Sequence, residues 1–311
     1  MTPRLTIGLP VYNGEEYLAE SLDALLGQSY EDYELVITDN ASTDGTEGIC
    51  KRYLAKDSRI SYHRLPKNIG AAGNHNHVFT LARGELFKWA SHDDLYGRTL
   101  LERCVEALDE RPDYVLAHSY NATIDSKGRI IEPYDYRIPT DSPSAAERFR
   151  GLLHAPGGDD FYGVIRTAAL RKVRPHDSYH HADRTFVMDM AMQGRFHQVP
   201  ELLYFRRDHE TRAERANPSV RSRCANLDPK RARGFNPTVR LLAEYALGYV
   251  GLINRAPISM AEKRKCYRHL AEYLSSRVTH RVVSADSEPA VAPKEQVLSI
   301  DGIVPGRTVS S

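Results

Sequence analysis

The chain carries almost no net charge: 42 lysines and arginines face 41 aspartates and glutamates. A global attraction to nucleic acid is therefore not indicated, although a local basic patch is compatible with that balance. Cysteine is scarce. Cys50, Cys104, Cys224 and Cys266 stand far apart and form no CxxC pair, which reads as free thiols in a reducing compartment. Long apolar runs are missing too. Met1-Thr2-Pro3-Arg4 leads straight into a strand pattern, and no segment reaches the roughly 18 apolar residues that a spanning helix needs. The best run, Leu241 to Ile253, is short and contains Glu244. The expectation is a cytoplasmic protein, with peripheral contact to the inner face of a membrane left open. Finally, the first strand is not followed by GxGxxG, and no GxxxxGK[ST] occurs. That speaks against a nicotinamide-binding Rossmann enzyme and a P-loop ATPase.

What is present is a repeated strand-to-polar-turn pattern. With 41% hydrophobic residues, 311 residues suffice for one large α/β domain plus an appendage. Leu5 to Leu9 runs into Pro10-Val11-Tyr12-Asn13. Glu34 to Thr38 runs into Asp39-Asn40-Ala41-Ser42-Thr43-Asp44-Gly45. Leu86 to Ala90 ends at Ser91-His92-Asp93-Asp94. Between them the period changes. Tyr17, Leu18, Leu22, Leu25 and Leu26 recur at helical spacing, Asp44 to Tyr53 and Gly70 to Leu81 follow suit, and Leu100 to Leu108 is a fourth helix. With strands at Ile60–Arg64 and Tyr114–His118, the order β-α-β-α-β-α-β-α-β predicts a Rossmann-like α/β fold, a mostly parallel sheet flanked by helices. In such sheets ligands bind at the C-terminal ends of the strands.

The second half is less regular. Residues 132 to 160 are rich in Pro, Gly and Asp and are expected to loop over the site. Phe161 to Val173 resumes as strand-turn-helix, Thr185 to Met192 as helix and Phe196 to Tyr204 as strand. Residues 206 to 233 hold nine basic and four acidic residues. Leu241–Leu252 and Arg264–Leu274 predict a C-terminal helical appendage. After Val283 the composition suggests a loose tail.

Several residues invite chemistry, each beside a plainer role. Adjacent carboxylates at Asp93 and Asp94 repel unless a cation or hydrogen bonds compensate. A hard divalent ion bridged to diphosphate oxygens would do so, whereas a helix N-cap is the alternative. Asp39 can accept from a nucleoside or simply shape an Asx turn. Tyr12 can flank a base or pack. The glycines of Lys67 to Asn74 allow close backbone approach to an anion at a helix start. Asp183, opening a helix after His180-His181-Ala182, is either a cap or a general base toward an acceptor hydroxyl. In Arg206-Arg207-Asp208-His209-Glu210, His209 is a candidate metal ligand.

Taken together, LPVYNGEEYLAESLDALLGQSY, ELVITDNASTDGT, NIGAAGN, SHDD, FYGVIRTAALR, HADRTF and GRFHQVPELLYFRRDH resemble family 2 glycosyltransferases of GT-A fold, over roughly residues 5 to 210. The resemblance implies a GT-A domain at 1–210, with a nucleotide-binding half to about 115 and an acceptor-side half from 116. Residues 211–283 would be the helical appendage and 284–311 a flexible tail. It implies an inverting transferase that passes a sugar from a nucleotide-diphosphate donor to an acceptor hydroxyl or amine. It places Pro10, Tyr12, Asp39, Asn68, Asn74, Ser91 and Asp93 at the donor, and Mg²⁺ or Mn²⁺ at Asp93, Asp94 and His209. Asp183 would be the base. The family's acidic motif commonly begins with Asp, where this chain has Ser91, and Ala182 replaces the Glu that usually precedes the base. The acceptor could be a carbohydrate, a lipid-linked sugar or a small molecule, and an oligomer is open. The alternatives are a sugar-1-phosphate nucleotidyltransferase, whose Gly-rich segment is not supplied by Pro10 to Gly14, and a non-catalytic carbohydrate-binding protein.

Overall fold

The computed structural model describes residues 2–134, 138–154, 159–179, 182–217, 219–230, 237–279, 300 and 302–306. The first half alternates strand and helix: β1 (Leu5–Val11), α1 (Leu18–Leu26), β2 (Tyr33–Asp39), α2 (Thr46–Leu54), β3 (Ile60–Arg64), α3 (Ala71–Thr80), β4 (Leu86–Trp89), a two-residue β5 (Leu95–Tyr96), α4 (Leu100–Glu110) and β6 (Tyr114–Ile124). The second half adds β7 (Ile130–Tyr134), α5 (Ala145–His154), β8 (Val164–Arg166), α6 (Thr167–Leu170), α7 (Ala182–Gln193), β9 (Arg195–Arg207), α8 (Ala213–Ala216), α9 (Val220–Leu227), α10 (Pro237–Arg255) and α11 (Met260–Thr279).

One sheet runs through the molecule in the order β3-β2-β1-β4-β8-β6-β9-β5, with β7 paired to β6. The β3-β2-β1-β4 block is parallel, and every residue of β1 and β2 is buried. That accounts for their continuous apolar sequence, since parallel strands are covered on both faces. Beyond β4 the sheet turns mixed. β8 lies antiparallel between β4 and β6, and β9 returns parallel to β6. The α/β architecture and its parallel first half match the sequence expectation.

Two apolar cores flank the sheet. Leu5, Ile7, Leu9 and Val11 of β1 join α1, α2 and α4 on one side. Phe87 and Trp89 of β4 join Val78 of α3, Phe149 of α5 and Phe186 of α7 on the other. Within the stretch 132–160 expected to be loop, α5 buries Phe149, Leu152 and Leu153. Its apolar positions recur at helical spacing across a segment whose flanks are Pro- and Gly-rich, which masked the period. Helices α10 and α11 also belong to the second core through Tyr249, Leu252, Ile253, Cys266 and Leu270. Residues 284–299, 301 and 307–311 of the expected tail lie outside the described residues. Where the tail is described it is not loose: Ile300 and Val304 are buried in the first core, and Arg98 N–H donates to Ile303 O at 2.8 Å. No helix among the described residues is long and apolar enough to cross a membrane.

Candidate active site

Strand register brings the polar turns to one edge. Val11 pairs with Asp39 and Gly8 with Trp89, so β1, β2 and β4 end side by side. The turns after β1 and β2 are stitched together. Asn13 N–H donates to Ser42 Oγ at 2.9 Å, Thr43 N–H to Asn13 Oδ1 at 2.8 Å and Gly14 N–H to Thr46 Oγ1 at 2.8 Å. Asn13 and Ala41 both take positive φ, 50° and 61°. For alanine that is an uncommon, strained conformation, of the kind that surrounding contacts must impose. A Cβ on Gly14 would lie 2.7 Å from the His92 ring, so the β1 turn and the acidic turn touch.

The acidic turn is held by β5. Leu95 and Tyr96 pair antiparallel with Phe205 and Tyr204, which brings residues 93–94 beside 207–209. The two carboxylates then part. Asp94 is only 3% exposed; Oδ2 accepts from the Tyr204 hydroxyl and Oδ1 from Arg207 N–H at 2.9 Å. Burial, then the charge of Asp93, pushes its pKa upward. Asp93 points the other way. Its Oδ1 accepts from Ser91 Oγ and its Oδ2 lies 3.0 Å from His209 Nε2. Burial disfavours its charge, but His92, the His209 and Ser91 hydrogen bonds and Arg212 outweigh that and hold its pKa below the usual carboxylate range. Both Asp94 oxygens are engaged inward as an anchor, and of the two expected carboxylate ligands Asp93 is the one turned toward His209.

The sequence reading missed Arg207. Its side chain is fully buried, donating to Asp93 O at 2.8 Å, Ser126 O at 2.9 Å and Glu20 Oε2 at 2.6 Å. The guanidinium also lies 4.6 Å from the Tyr17 ring centroid. Arg207 thus ties β9 to α1 and to the acidic turn. Its one local signal is its place beside His209, because its partners are remote in sequence.

Do the residues fit a divalent ion? Among the described residues no group of three or more His, Cys, Asp or Glu side chains gathers at one point. Asp93 and His209 alone are disposed as ligands. The two side chains meet at 3.0 Å, so both would be available to one ion. His209 Nδ1 contacts Thr211 Oγ1 at 2.9 Å, a partner of the kind that orients a ligating imidazole. A carboxylate and an imidazole are donors that a divalent ion could use, with its remaining positions supplied from outside the protein. Ser91, whose hydroxyl is spent on Asp93, acts as a support.

At the end of β1, Tyr12 is open, with 42% of its surface exposed. Pro10 is buried inside β1 opposite Thr38. Asp39 is fully buried: Ser42 N–H donates to Oδ1 at 2.8 Å, and the Tyr62 hydroxyl (2.6 Å) and Arg64 (2.7 Å) donate to Oδ2. Its pKa is lowered because these bonds, together, outweigh the opposing effect of burial. Asn68 Oδ1 accepts from Gly70 N–H at 2.7 Å and Asn40 Nδ2 at 3.0 Å. Asn74 Nδ2 donates to Thr38 O at 2.9 Å, locking α3 to β2. Gly70, at φ 84°, sits where a Cβ would meet Leu227 O at 2.3 Å. Asp39, Asn68 and Asn74 thus brace the edge, beside which Tyr12 is exposed.

In the second half of the chain α7 begins at Ala182, so Asp183 sits in its first turn and is not the cap. It is half-buried, and Arg184 N–H donates to its Oδ1 at 3.0 Å. His180 and His181 lie outside the described residues. The approach to α7 is fixed by Ala182 N–H donating to Tyr179 O at 3.0 Å and by Tyr179 OH meeting Thr185 Oγ1 at 2.6 Å.

Residues 6–174, over half of the chain, match the family model described as Glycosyl transferase family 2. The chain belongs to that family, which makes it a glycosyltransferase by class. An uncharacterized glycosyltransferase of Rickettsia felis is 34% identical over 161 residues, 49% of this chain; the chain spans only 26% of that protein. Among solved structures, S. aureus TarS 1–349 in complex with UDP-GlcNAc superposes with a TM-score of 0.55 at 17% identity, covering 88% of this chain and 81% of that one. The mannosyltransferase PcManGT of Pyrobaculum calidifontis, in complex with GDP-Man and Mn²⁺, gives 0.53 at 17% identity over 91% and 77%. At such identities these likenesses carry the fold, which is GT-A.

Proposed function

We propose that the chain transfers a sugar from a nucleotide-diphosphate donor to an acceptor hydroxyl or amine, with inversion by single displacement. The observation that carries this reading is the Asp93–His209 pair, 3.0 Å apart at the C-terminal edge of the parallel strands, beside the turn that presents Tyr12. Tyr12 offers an aromatic face to the base. The α3 amino end and the Asn68 turn flank the diphosphate. Asp93 and His209 hold Mg²⁺ or Mn²⁺, which when bound stabilises negative charge on the departing diphosphate. Asp183 takes the proton of the acceptor as its oxygen or nitrogen attacks the anomeric carbon. The nucleoside diphosphate leaves from the opposite face, which inverts the centre. The family match favours this over a sugar-1-phosphate nucleotidyltransferase or a non-catalytic carbohydrate-binding protein. We place the enzyme in the cytoplasm, with a carbohydrate, lipid-linked or small-molecule acceptor.

The test is a panel of UDP-, GDP- and TDP-sugars, each with and without Mn²⁺. The expected result is a rise in melting temperature with one nucleoside class, larger with Mn²⁺, since a ligand that binds the folded state stabilises it by mass action. Slow release of the matching nucleoside diphosphate should accompany it. No shift and no release with any donor would overturn the reading.

A further inference from the structure

The strand that carries the acidic turn is too short to hold itself. β5 has two residues, lies at the edge of the sheet and pairs with β9 through Leu95 and Tyr96. A ladder of that length supplies little stability of its own. Yet the turn depends on it. The Tyr96 hydroxyl accepts from Ser91 N–H at 2.8 Å and donates to Ser91 O at 2.9 Å. Ser91 Oγ in turn donates to Asp93 Oδ1. A displaced β5 would therefore carry Tyr96, Ser91 and Asp93 with it, so the backbone just after β5 has to be pinned from elsewhere.

Two of the pins come from the end of α1. Gln28 Nε2 donates to Gly97 O at 2.8 Å, and Ser29 N–H to Arg98 O at 2.9 Å. The third comes from far along the chain: Arg98 N–H donates to Ile303 O at 2.8 Å. Ile303 belongs to a tight turn in which its own N–H and that of Val304 both donate to Ile300 O at 3.1 Å, with Gly302 at a φ of 79°. Ile300 and Val304 are buried in the first core. Two glycines leave room for this turn. Gly27 ends α1 at an ordinary negative φ of −88°, so the backbone does not demand a glycine there. A Cβ on it would lie 2.3 Å from Pro305 Cβ and 2.9 Å from Pro305 Cγ. A Cβ on the buried Gly97 would lie 3.3 Å from Ile303 Cγ2.

We propose that Ile300 and residues 302–306 form a clasp that positions the acidic turn. By closing over Gly97 and Arg98 it holds β5 on β9 and so keeps Asp93 beside His209. The proposal rests on the transferase reading only for the ion assigned to Asp93 and His209.

The test uses the full chain. Gly27→Ala drives a methyl group into Pro305, and Val304→Asp puts a carboxylate into the first core; each should release the clasp. Gly27→Ala combined with Pro305→Gly removes both ring atoms that the methyl would meet, so the clasp should reseat. Hydrogen exchange resolved by residue reads the amides of Ser91, Gly97 and Arg98. Calorimetry reads Mn²⁺ affinity in the presence of UDP or GDP, and binding of the same nucleotide without metal. Both single variants should exchange faster at all three amides and lose about tenfold in Mn²⁺ affinity, the scale of a lost orienting partner. Metal-free nucleotide binding should stay at the wild-type level, and the double variant should recover both losses. Faster exchange at Arg98 with Ser91 exchange and Mn²⁺ affinity unchanged would overturn the proposal, because the clasp would then leave without moving the turn. Native exchange at all three amides in both single variants would overturn it too, since the seat would tolerate what should expel its occupant. So would an equal loss of metal-free nucleotide binding that the double variant does not restore, the mark of general loosening. If wild type binds no Mn²⁺, the ion assignment fails instead, and exchange at Ser91 decides the clasp alone.

Discussion

His209 Nε2 lies 3.0 Å from Asp93 Oδ2, although 116 positions separate the two residues. The contact exists because β5 pairs with the end of β9. Without an ion, a proton must sit between this nitrogen and the carboxylate; an ion would replace that proton and use the same two atoms. Asp93→Asn should therefore abolish the Mn²⁺-dependent part of nucleotide binding and lower turnover by about 10²–10³, the scale of several kcal/mol of charge stabilisation. His209→Ala should weaken Mn²⁺ binding similarly. Thr211→Val, which removes the contact to Nδ1, should cost about 10–100-fold in metal affinity. Titration of Mn²⁺ in the presence of nucleoside diphosphate checks all three. Full activity of Asp93→Asn in stringent chelator would reject the assignment.

Asp94 should behave in the opposite way. Replacing it with Ala leaves the Tyr204 hydroxyl and Arg207 N–H without their acceptor in a buried place. The expected loss is about 1–3 kcal/mol for each unsatisfied group. Asp93→Asn keeps the shape and an acceptor oxygen, so it should lose less, the loss being what the charge contributes through the lowered Asp93 pKa. Denaturant unfolding of the two variants separates anchor from ligand, and wild-type stability of Asp94→Ala would show that Asp94 carries no structural weight.

The contrast between these neighbours marks how far the sequence could be read. Leu5–Val11 and Tyr33–Asp39 are legible as buried parallel strands because both faces are covered and the apolar run is unbroken. The turns after them are legible because polar residues follow at once. Asp93 and Asp94 look alike in sequence; only the pairing of β5 with β9 decides which side chain points at Tyr204. Arg207 was invisible for the same reason, since its Glu20 partner lies 187 positions away. Helix α5 was hidden by its Pro- and Gly-rich flanks. Ile300 and Val304 are buried in the first core, and Arg98 N–H donates to Ile303 O, which no local pattern reports.

Tyr12 and Asp39 make a second pair that mutation can divide. Tyr12 is largely exposed, so Tyr12→Ala should leave the melting temperature unchanged. It should cost about 1–3 kcal/mol of nucleotide affinity, as loss of a base-stacking ring does elsewhere. Asp39→Ala strands Arg64 and Tyr62 and should destabilise the fold itself. Calorimetry and thermal melting on both proteins check this; a Tyr12→Ala protein with native affinity would move the base elsewhere.

Glu262 should give acid stability a visible step. The Lys265 ammonium, followed by Ala146 N–H, holds its pKa at about 2 against the opposing effect of burial, and Ser144 Oγ adds to this. The group's ordinary value is 4.5. A depressed folded pKa contributes stability that is fully present above the unfolded value and is lost as pH falls from there through about 2. Because these bonds tie α11 to α5, Glu262→Gln should unfold more easily at neutral pH. The gap to wild type should close between about pH 4.5 and 2. Melting curves across that window test it; a gap that does not change with pH would mean the ionised carboxylate is not what holds the two helices.

Asp183 is the sharpest mechanistic test. It lies in the first turn of α7, after the position that would cap it, and its carboxylate has Arg184 N–H on Oδ1. A negative charge at a helix start is worth about 0.3–1 kcal/mol. Asp183→Asn keeps the shape and the acceptor oxygen, so folding should survive with at most that loss. Donor binding should also survive, because the proposed donor site uses β1, β2, α3 and the 91–94 turn, not α7. Transfer to acceptor should fall by about 10²–10⁴, the usual scale of a lost general base. A steady-state assay at saturating donor and acceptor, run beside calorimetry with nucleoside diphosphate, reads both effects. Near-native turnover with intact binding would leave Asp183 as a helix-start charge and require the base to be sought among other carboxylates of the acceptor side.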